Sequence, residues 1–236
     1  MPERLRAYPE ERPAAEVLDW AIRAFQPRIA LASSFGAEDV VLIDMWWRAD
    51  REVRVFTLDT GRLPEETYEV MDRIRERYAI AIASYFPERA AVEVLERERG
   101  FYSFRRSVAD RKHCCGIRKV EPLGRALAGL EAWVTGLRRE QAETRSAVQQ
   151  VERDPALGGI LKVNPLADWT TEDVWRYVRT HDVPYNRLHD RGYPSIGCAP
   201  CTRAVLPGED LRAGRWCWER PQTKECGLHP VPGKGA

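Results

Sequence analysis

Short apolar runs alternate with amphipathic stretches over the first two thirds of the chain. Runs rich in β-branched and aromatic residues predict strands at residues 29–33, 53–58, 80–85 and 132–136. Apolar positions with helical spacing predict helices at residues 14–25, 38–49, 64–77 and 90–99, the third with a proline near its first turn. Strands that alternate with helices build a parallel sheet with right-handed crossovers. We therefore expect an α/β fold with an open, mostly parallel sheet flanked by helices.

The pattern changes after Asn164. A helix is predicted over residues 170–181, where Thr170 and Asp173 have capping-box spacing, with Asp in place of the usual Glu or Gln. A segment rich in Pro, Gly and Cys follows. We interpret residues 1–236 as a single domain, with an α/β core at about 14–165. Residues 166–236 form a Cys-rich extension over the sheet edge that ends in a mobile tail.

Three loops of the predicted sheet are candidate binding sites, because ligands lie beyond the carboxyl ends of parallel strands, where the strand order reverses. These loops are residues 33–39, 58–61 and 136–145. Residues 33–39 can hold a phosphate on hydroxyl and backbone N–H groups at a helix N-terminus. The same residues also fit an ordinary strand-to-helix turn. Walker and G-x-G-x-x-G spacings are absent from the sequence, which disfavours ATPases and NAD-binding proteins of those types.

Polar and basic side chains follow two of the predicted strands. Asp59 is in position to contact a nucleoside, or simply to cap its own loop. Residues 105–145 contain ten basic and five acidic side chains. Within this stretch Arg138, Arg139 and Arg145 follow a predicted strand, where guanidinium groups can bind a phosphate or sulfate. We favour this anion site over a solvated charged face.

Composition limits the classes of function. The 236 residues are 44% hydrophobic and 31% charged, as in an ordinary globular protein. A net charge of +1 provides no global attraction for nucleic acid or anionic lipid. The longest uncharged stretches are about ten residues, against the ~20 of a membrane helix, and the N-terminus lacks an export signal. We expect a cytoplasmic protein without nucleic-acid or membrane partners; the oligomeric state stays open, a homo-oligomer included.

Cysteines are the most informative residue type, since six are too few for a disulfide scaffold in a chain of this length. Cys114 and Cys115 are adjacent, and Cys198 and Cys201 form a C-x-x-C motif. Four thiolates suit Zn²⁺ or an iron–sulfur cluster, and an adjacent pair fits a cluster with several metal corners better than one small ion. Ordinary free cysteines are the remaining alternative.

One cysteine near the C-terminus is a candidate nucleophile. Lys224 and His229 flank Cys226, and such neighbours favour a reactive thiolate. A tail cysteine can also be incidental. The other histidines, His113, His181 and His189, are expected at the surface or as satisfied polar residues.

Seven segments together resemble the phosphoadenylyl-sulfate reductase family, which includes the assimilatory adenylyl-sulfate (APS) reductases. They are SSFGAED at 33–39, LDTGR at 58–62, CCGIRK at 114–119, TGLRR at 135–139, GCAPCTR at 197–203, RAGRW at 212–216 and KECGLH at 224–229. The Cys-Cys and C-x-x-C pairs are similar to those of the branch that carries a 4Fe-4S cluster and reduces adenosine 5′-phosphosulfate. The branch that uses the 3′-phosphorylated nucleotide usually lacks them.

The resemblance implies an adenine nucleotide alpha hydrolase-like fold, in which residues 14–165 bind the nucleotide, and assigns a role to each matching residue. Cluster ligands would be Cys114, Cys115, Cys198 and Cys201, and the nucleophile would be Cys226. Residues around the phosphosulfate would be Lys119, Arg145, Arg212, Arg215 and His229. Residues around the adenosine would be Ser33, Ser34, Phe35, Gly36, Asp39, Asp59 and Gly136.

The resemblance also implies a reaction, the thioredoxin-dependent reduction of adenosine 5′-phosphosulfate to sulfite and AMP in sulfate assimilation. An S-sulfocysteine on Cys226 would be the intermediate, and thioredoxin or a similar dithiol protein would release the sulfite. The alternatives are a phosphoadenylyl-sulfate (PAPS) reductase, an ATP pyrophosphatase-type adenylating enzyme and a zinc-binding module without catalysis. Two departures from the family stand out: Cys217 replaces a usual Trp, and Ala142-Glu143 replaces a common Ser-Pro before Thr144.

Overall fold

The computed structural model of the protein describes residues 11–220, 224–225 and 227–228. Its strands are β1 (Ile29–Ala32), β2 (Val55–Leu58), β3 (Ile82–Tyr85), β4 (Ala132–Val134), β5 (Val151–Asp154) and β6 (Ile160–Val163). Its α-helices are α1 (Ala14–Phe25), α2 (Ala37–Ala49), α3 (Glu65–Tyr78), α4 (Arg89–Arg99), α5 (Val108–Cys115), α6 (Glu121–Leu127) and α7 (Thr171–Thr180). The predicted strands and helices are all present, with ends that differ by one or two residues.

The strands form one six-stranded sheet in the order β3-β2-β1-β4-β6-β5. All neighbouring pairs are parallel except β5 with β6. Leu31 of β1 lies in register with Val55 of β2 on one side and Val134 of β4 on the other. The chain steps outward from β1 to β3 and then returns to add β4 on the opposite side. The strand order therefore reverses between β1 and β4, and the expected open, mostly parallel sheet is confirmed.

Helices cover both faces of this sheet. Residues Ile29 and Leu31 of β1 face a core shared with α1, α2, α3 and α7. Ala30, between them, faces the other side, where α6 packs Leu123 on the sheet. Side chains of a strand alternate between faces, so apolar residues at successive positions require cover on both. The continuous apolar run of β1 is thus explained by its central place.

Two regions differ from the sequence prediction. Residues 137–164 were assigned no element, yet they contain β5 and β6, joined by a turn in which Gly158 and Gly159 have positive φ of 72° and 76°. Charged Lys162 and Glu152 pair across these strands at 3.3 Å and interrupt the apolar pattern that marks a strand. Helices α5 and α6 were not assigned either.

The capping box at the start of α7 is formed. Thr170 Oγ1 accepts a hydrogen bond from the Asp173 N–H at 3.1 Å, and the Asp173 carboxylate accepts from the Thr170 N–H at 2.9 Å. Helix α7 packs on the core, where buried Asp44 of α2 accepts hydrogen bonds from the hydroxyls of Tyr78 and Tyr177. Among the described helices, none has the length and apolarity that a bilayer crossing requires.

Candidate active site

A cavity of about 230 Å³ lies at the carboxyl ends of the strands, at the reversal of strand order. The turns after β1 and β4 line it, together with loops of the C-terminal extension. Of the residues that were predicted to surround a nucleotide, nine line this cavity: Ser33, Ser34, Gly36, Asp39, Lys119, Gly136, Arg145, Arg212 and Arg215. The extension thus lies over the strand ends, whereas the sequence analysis placed it over the sheet edge.

The turn after β1 presents acceptors to the cavity. The Asp39 carboxylate accepts hydrogen bonds from the N–H and the hydroxyl of Ser34, at 2.6 and 2.9 Å. Phe35 has a φ of 58°, its ring is buried in the core, and it is not among the residues that line the cavity. Because the Ser34 N–H is already bonded to a carboxylate, this end suits the hydroxyl and N–H donors of a nucleoside better than a phosphate.

Asp39 and Gly136 meet where the turns after β1 and β4 approach each other. Burial raises the pKa of Asp39 to about 6, although the hydrogen bonds from Ser34 act in the opposite direction. A Cβ at Gly136 would lie 2.5 Å from Asp39 Oδ1 and 2.8 Å from the Cβ of Glu38. The close approach of the two turns therefore requires glycine at this position.

Asp59 does not line the cavity. Its carboxylate accepts hydrogen bonds from the Tyr68 hydroxyl at 3.0 Å and from the Gly61 N–H at 2.8 Å. This arrangement favours the capped-loop interpretation. The next residue, Thr60, does line the cavity, and its hydroxyl lies 3.3 Å from the sulfur of Cys198.

The structure does not support the anion site that was expected at Arg138 and Arg139. Arg138 donates to the carboxylates of Glu38 and Glu140, at 2.9 Å each. Arg139 donates to Asp168. Both guanidinium groups are therefore neutralised by carboxylates within the fold, a pairing that the spacing along the chain did not reveal.

Four other cationic side chains line the cavity, namely Lys119, Arg145, Arg212 and Arg215. Arg215 passes so close to Gly197 that a Cβ there would overlap its guanidinium group, and it donates to the Ile196 carbonyl at 3.1 Å. Its guanidinium carbon lies 4.8 Å from the centroid of the Trp216 ring. These contacts fix a cation in the part of the cavity wall that the C-terminal extension contributes.

The four cysteines at positions 114, 115, 198 and 201 line a second, smaller cavity. Cys114 and Cys115 end α5, and a π-helical turn over Gly116–Val120 follows and buries Arg118 and Lys119. The C-x-x-C motif closes a 3₁₀ turn in which the Cys201 N–H donates to the Cys198 carbonyl at 2.9 Å. The two chain segments, far apart in sequence, therefore present all four thiols to one space.

The two cavities share a wall formed by Lys119, Cys198 and Trp216. Burial works to raise the pKa of Cys198, but Lys119, a hydrogen bond from Thr60, and two arginines outweigh it and lower that pKa. Burial and the neighbouring thiols Cys198 and Cys115 raise the pKa of Cys201 to about 12. The thiols are thus close enough to influence one another's ionisation.

These cysteines are the residues that could hold a metal cofactor. Among the described residues, no three or more His, Cys, Asp or Glu side chains are arranged to hold a single metal ion. A cluster makes a different demand, since each thiolate binds a different iron corner and the sulfurs need not meet at one point.

Some predicted residues cannot be placed. Cys226 and His229 lie outside the described part of the chain. Leu228, between them, lines the nucleotide cavity, and Cys217 is exposed.

The prediction that His189 is a surface residue or a satisfied polar residue is wrong. His189 lines the nucleotide cavity, its Nε2 is buried with no hydrogen-bond partner among the described residues, and burial lowers its pKa. Sequence reasoning also missed Thr60, Trp216 and Glu225. Only Glu225 carried a usable signal, an acidic residue within an otherwise cationic candidate site.

Comparison with known proteins gives a consistent result. Residues 28–204 match the family described as "Phosphoadenosine phosphosulfate reductase domain". An adenosine 5′-phosphosulfate reductase of Allochromatium vinosum is 52% identical over 219 residues, which cover 93% of this chain and 85% of that protein. The chloroplastic 5′-adenylylsulfate reductase 3 of Arabidopsis thaliana is 47% identical over 235 residues, covering 96% of this chain and 51% of the plant protein.

Solved structures agree on the fold. The phosphoadenylyl-sulfate reductase of Candida auris, a phosphate complex, has a TM-score of 0.70 and 29% identity, covering 83% of this chain and 91% of that one. FMN adenylyltransferase of Candida glabrata has a TM-score of 0.57 at 12% identity, covering 97% of this chain and 83% of its own, and shows a shared fold alone. The expected adenine nucleotide alpha hydrolase-like fold is therefore confirmed.

Proposed function

Since the chain belongs to the phosphoadenosine phosphosulfate reductase family, we propose that it is a thioredoxin-dependent adenylyl-sulfate reductase. It converts adenosine 5′-phosphosulfate into sulfite and AMP in the assimilation of sulfate. The observation that carries this proposal is the shared wall between the nucleotide cavity and the cavity lined by four cysteines. Relatives named adenosine 5′-phosphosulfate reductase support the choice of substrate.

The charges along the cavity support one orientation of the substrate. The adenosine lies toward the β1 and β4 turns, where Ser33, Ser34, Gly36, Asp39 and Gly136 line the wall. Phe35 and Asp59 do not line the wall and act indirectly, through the hydrogen bonds that shape their loops. The phosphosulfate lies against the four cationic side chains, Lys119, Arg145, Arg212 and Arg215. Fixed cations there would stabilise the charge that develops on the departing phosphate.

The chemistry we propose begins with the Cys226 thiolate, assisted by His229. The thiolate attacks the sulfur of the sulfuryl group, and the bond from that sulfur to the phosphate oxygen breaks. AMP leaves with the electron pair, and an S-sulfocysteine remains. A thiolate of reduced thioredoxin, or a similar dithiol protein, then attacks the Cys226 sulfur and releases sulfite. Its second thiol resolves the mixed disulfide, so the dithiol supplies both electrons.

We further propose that Cys114, Cys115, Cys198 and Cys201 hold a 4Fe-4S cluster. The donor set fits, because four thiols line one cavity among cations that offset the cluster's negative charge. Arg118 Nε and Trp216 Nε1 are buried without a hydrogen-bond partner among the described residues, and both side chains line that cavity. N–H donors of this kind suit cluster sulfurs. When bound, the cluster supplies a fixed charge beside Lys119.

Two further proposals concern the compartment and the oligomeric state of the protein. Because the thiols of the protein must stay reduced and it depends on a reduced dithiol protein, we propose that it works in the cytoplasm. A homo-oligomer stays a prediction that sedimentation can check.

The deciding experiment starts from protein purified without oxygen. We expect brown protein with iron and sulfide, and sulfite release from adenosine 5′-phosphosulfate but not from its 3′-phosphorylated form, with thioredoxin as reductant. Cys226→Ser should keep the iron yet form neither sulfite nor a protein-bound sulfite adduct. Cys217→Ser, which changes an exposed thiol, is the matched control and should keep both activities.

Each alternative has its own signature in the same experiment. Preference for the 3′-phosphorylated nucleotide would mean a PAPS reductase. ATP-dependent release of pyrophosphate would indicate an adenylating enzyme. Colourless protein that contains zinc and shows no turnover would indicate a zinc-binding module without catalysis. An adduct that still forms in Cys226→Ser would refute the assignment of the nucleophile.

A further inference from the structure

The side chain of Glu225 binds two of the cationic side chains that line the nucleotide cavity. Its Oε1 accepts hydrogen bonds from the Thr144 hydroxyl at 3.1 Å and from Arg145 Nε at 3.2 Å. Its Oε2 accepts from Arg145 Nη2 at 3.2 Å and lies 3.5 Å from Arg212 Nη2. Only 15% of the side chain is exposed. Arg145 and Arg212 are two of the cations that we assign to the phosphosulfate.

The backbone around Glu225 is held in the same place. Arg111 donates to the Glu225 carbonyl at 2.5 Å, and Arg212 donates to the Lys224 carbonyl at 2.9 Å. Arg111 is itself fixed by a buried ion pair with Glu219 at 2.7 Å. The segment that directly precedes Cys226 is thus docked on the cavity through its main chain as well as through the carboxylate.

All three guanidinium nitrogens of Arg145 donate a hydrogen bond in this arrangement. Its Nε and Nη2 donate to Glu225, and its Nη1 donates to the side-chain amide oxygen Oε1 of Gln141 at 2.6 Å. Burial works to raise the pKa of Glu225, but Arg145 and Arg212 outweigh it and hold that pKa below its usual value. The carboxylate is therefore ionised near neutral pH. A second anion cannot form a bidentate pair with the Nε and Nη2 groups of Arg145 until Glu225 releases them.

We propose that Glu225 is a positioning residue that competes with the substrate for Arg145 and Arg212. Its carboxylate holds the tail on the cavity in the absence of nucleotide, and the anionic group of the sulfonucleotide exchanges for it on binding. This inference rests on the proposed function for the identity of the substrate. An internal competitor lowers the apparent affinity for anions by the fraction of time for which it occupies the arginines.

The test measures binding without turnover. In a Cys226→Ser background, Glu225→Gln should lower the Kd of adenosine 5′-phosphosulfate by about tenfold, as for arginines occupied about nine tenths of the time. The Kd of inorganic sulfate should fall in parallel. In the otherwise wild-type enzyme Glu225→Gln should lower both KM and kcat, because the tail loses its anchor. A structural defect alone would not tighten binding.

Two further variants complete the experiment. Glu172→Gln removes the same charge from an exposed residue of α7 that does not line the cavity, and should change either Kd by less than about twofold. Glu225→Asp keeps the charge and should bind nearly as the parent does, which also covers the case in which Glu225→Gln fails to fold. Unchanged or weaker sulfate binding in Glu225→Gln, or Asp binding as tightly as Gln, would overturn the inference. If the nucleotide binds to no variant but sulfate still binds more tightly to Glu225→Gln than to the parent, the proposed function is wrong. The competition between Glu225 and an anion for the arginines is then still supported.

Discussion

The nucleotide cavity and the cysteine cavity are built from different kinds of contact. In the first, neighbouring residues of one strand-to-helix turn bond to each other, as Ser34 does to Asp39. In the second, distant segments meet: Arg118 donates to the Thr60 carbonyl at 2.7 Å, and the backbone N–H of Trp216 donates to the Cys201 carbonyl at 3.1 Å. The wall that the β1 and β4 turns contribute to the first cavity follows from sheet topology, whereas its other wall and the second cavity depend on how the C-terminal extension packs.

This difference predicts that damage to the cysteine cavity should leave nucleotide binding largely intact. Cys201→Ala removes a thiol that lines only the cysteine cavity. We expect the iron content to fall to near zero and sulfite formation to fall by at least about a hundredfold. The affinity for AMP should stay within about threefold of the parent. Iron analysis and AMP titration test this, and joint loss of iron and AMP binding would show that the two cavities form one unit.

The reverse experiment acts on the nucleotide cavity. Gly136→Ala places a Cβ 2.5 Å from Asp39 Oδ1, so the two turns must move apart. We expect AMP to bind at least about tenfold more weakly, the free energy of unfolding to drop by about 1–3 kcal/mol, and iron to be retained. Gly124→Ala is the control, because its Cβ would meet nothing within 4 Å. Its unfolding free energy should not fall, since Ala favours a helix by about 1 kcal/mol over Gly. Equal effects at both glycines would contradict this account.

Protonation of Asp39 should have a smaller effect, which is on the pH dependence of the unfolding free energy. The pKa of Asp39 is about 6 in the folded protein, against an ordinary value of 3.8. Between these values the folded state holds a proton that the unfolded chain has lost. The stabilising contribution is thus full below about pH 3.8 and disappears as the pH rises through about 6. Urea unfolding at pH 5 and pH 7 should show a larger loss of stability in the parent than in Asp39→Asn. Parallel losses would argue against a raised pKa.

The smallest effect is expected from Arg139→Ala, because Arg139 is half-buried and pairs with Asp168 outside both cavities. Sulfite formation should stay within about twofold and the unfolding free energy within about 1 kcal/mol. Arg145→Ala, which changes a residue of the cavity, should raise KM strongly in the same assay. A comparable loss of activity in both variants would restore the anion site that we withdrew at Arg139.

Local patterns were sufficient for much of the fold. The strand–helix alternation, the capping box at Thr170 and the loops beyond the strand ends depend on residues only a few positions apart. Strands β5 and β6 were not predicted, because they contain the charged residues Lys162 and Glu152, which form an ion pair across the hairpin. A pattern of single positions carries no information about such partners.

The candidate site divides in the same way. Motifs pointed to the cysteines and to the cationic residues, but the spacing along the chain treated Arg138, Arg139 and Arg145 alike. Arg138, although it also lines the cavity, is paired with Glu38, and Arg139 is paired with Asp168. Arg145 is paired instead with Glu225, on the segment that precedes Cys226. The exposure of His189 was misjudged for a similar reason, since its environment comes from packed neighbours rather than adjacent residues.

The sequence by itself determined which segments form the sheet, which loops lie at its carboxyl ends and which thiols are available, because periodicity and turn chemistry act between near neighbours. Only the tertiary structure decided that Lys119, Cys198 and Trp216 separate two cavities and that Glu225 lies on Arg145 and Arg212. Such pairings depend on the packing of remote segments. Desolvation and charge complementarity determine which of them form as the chain folds.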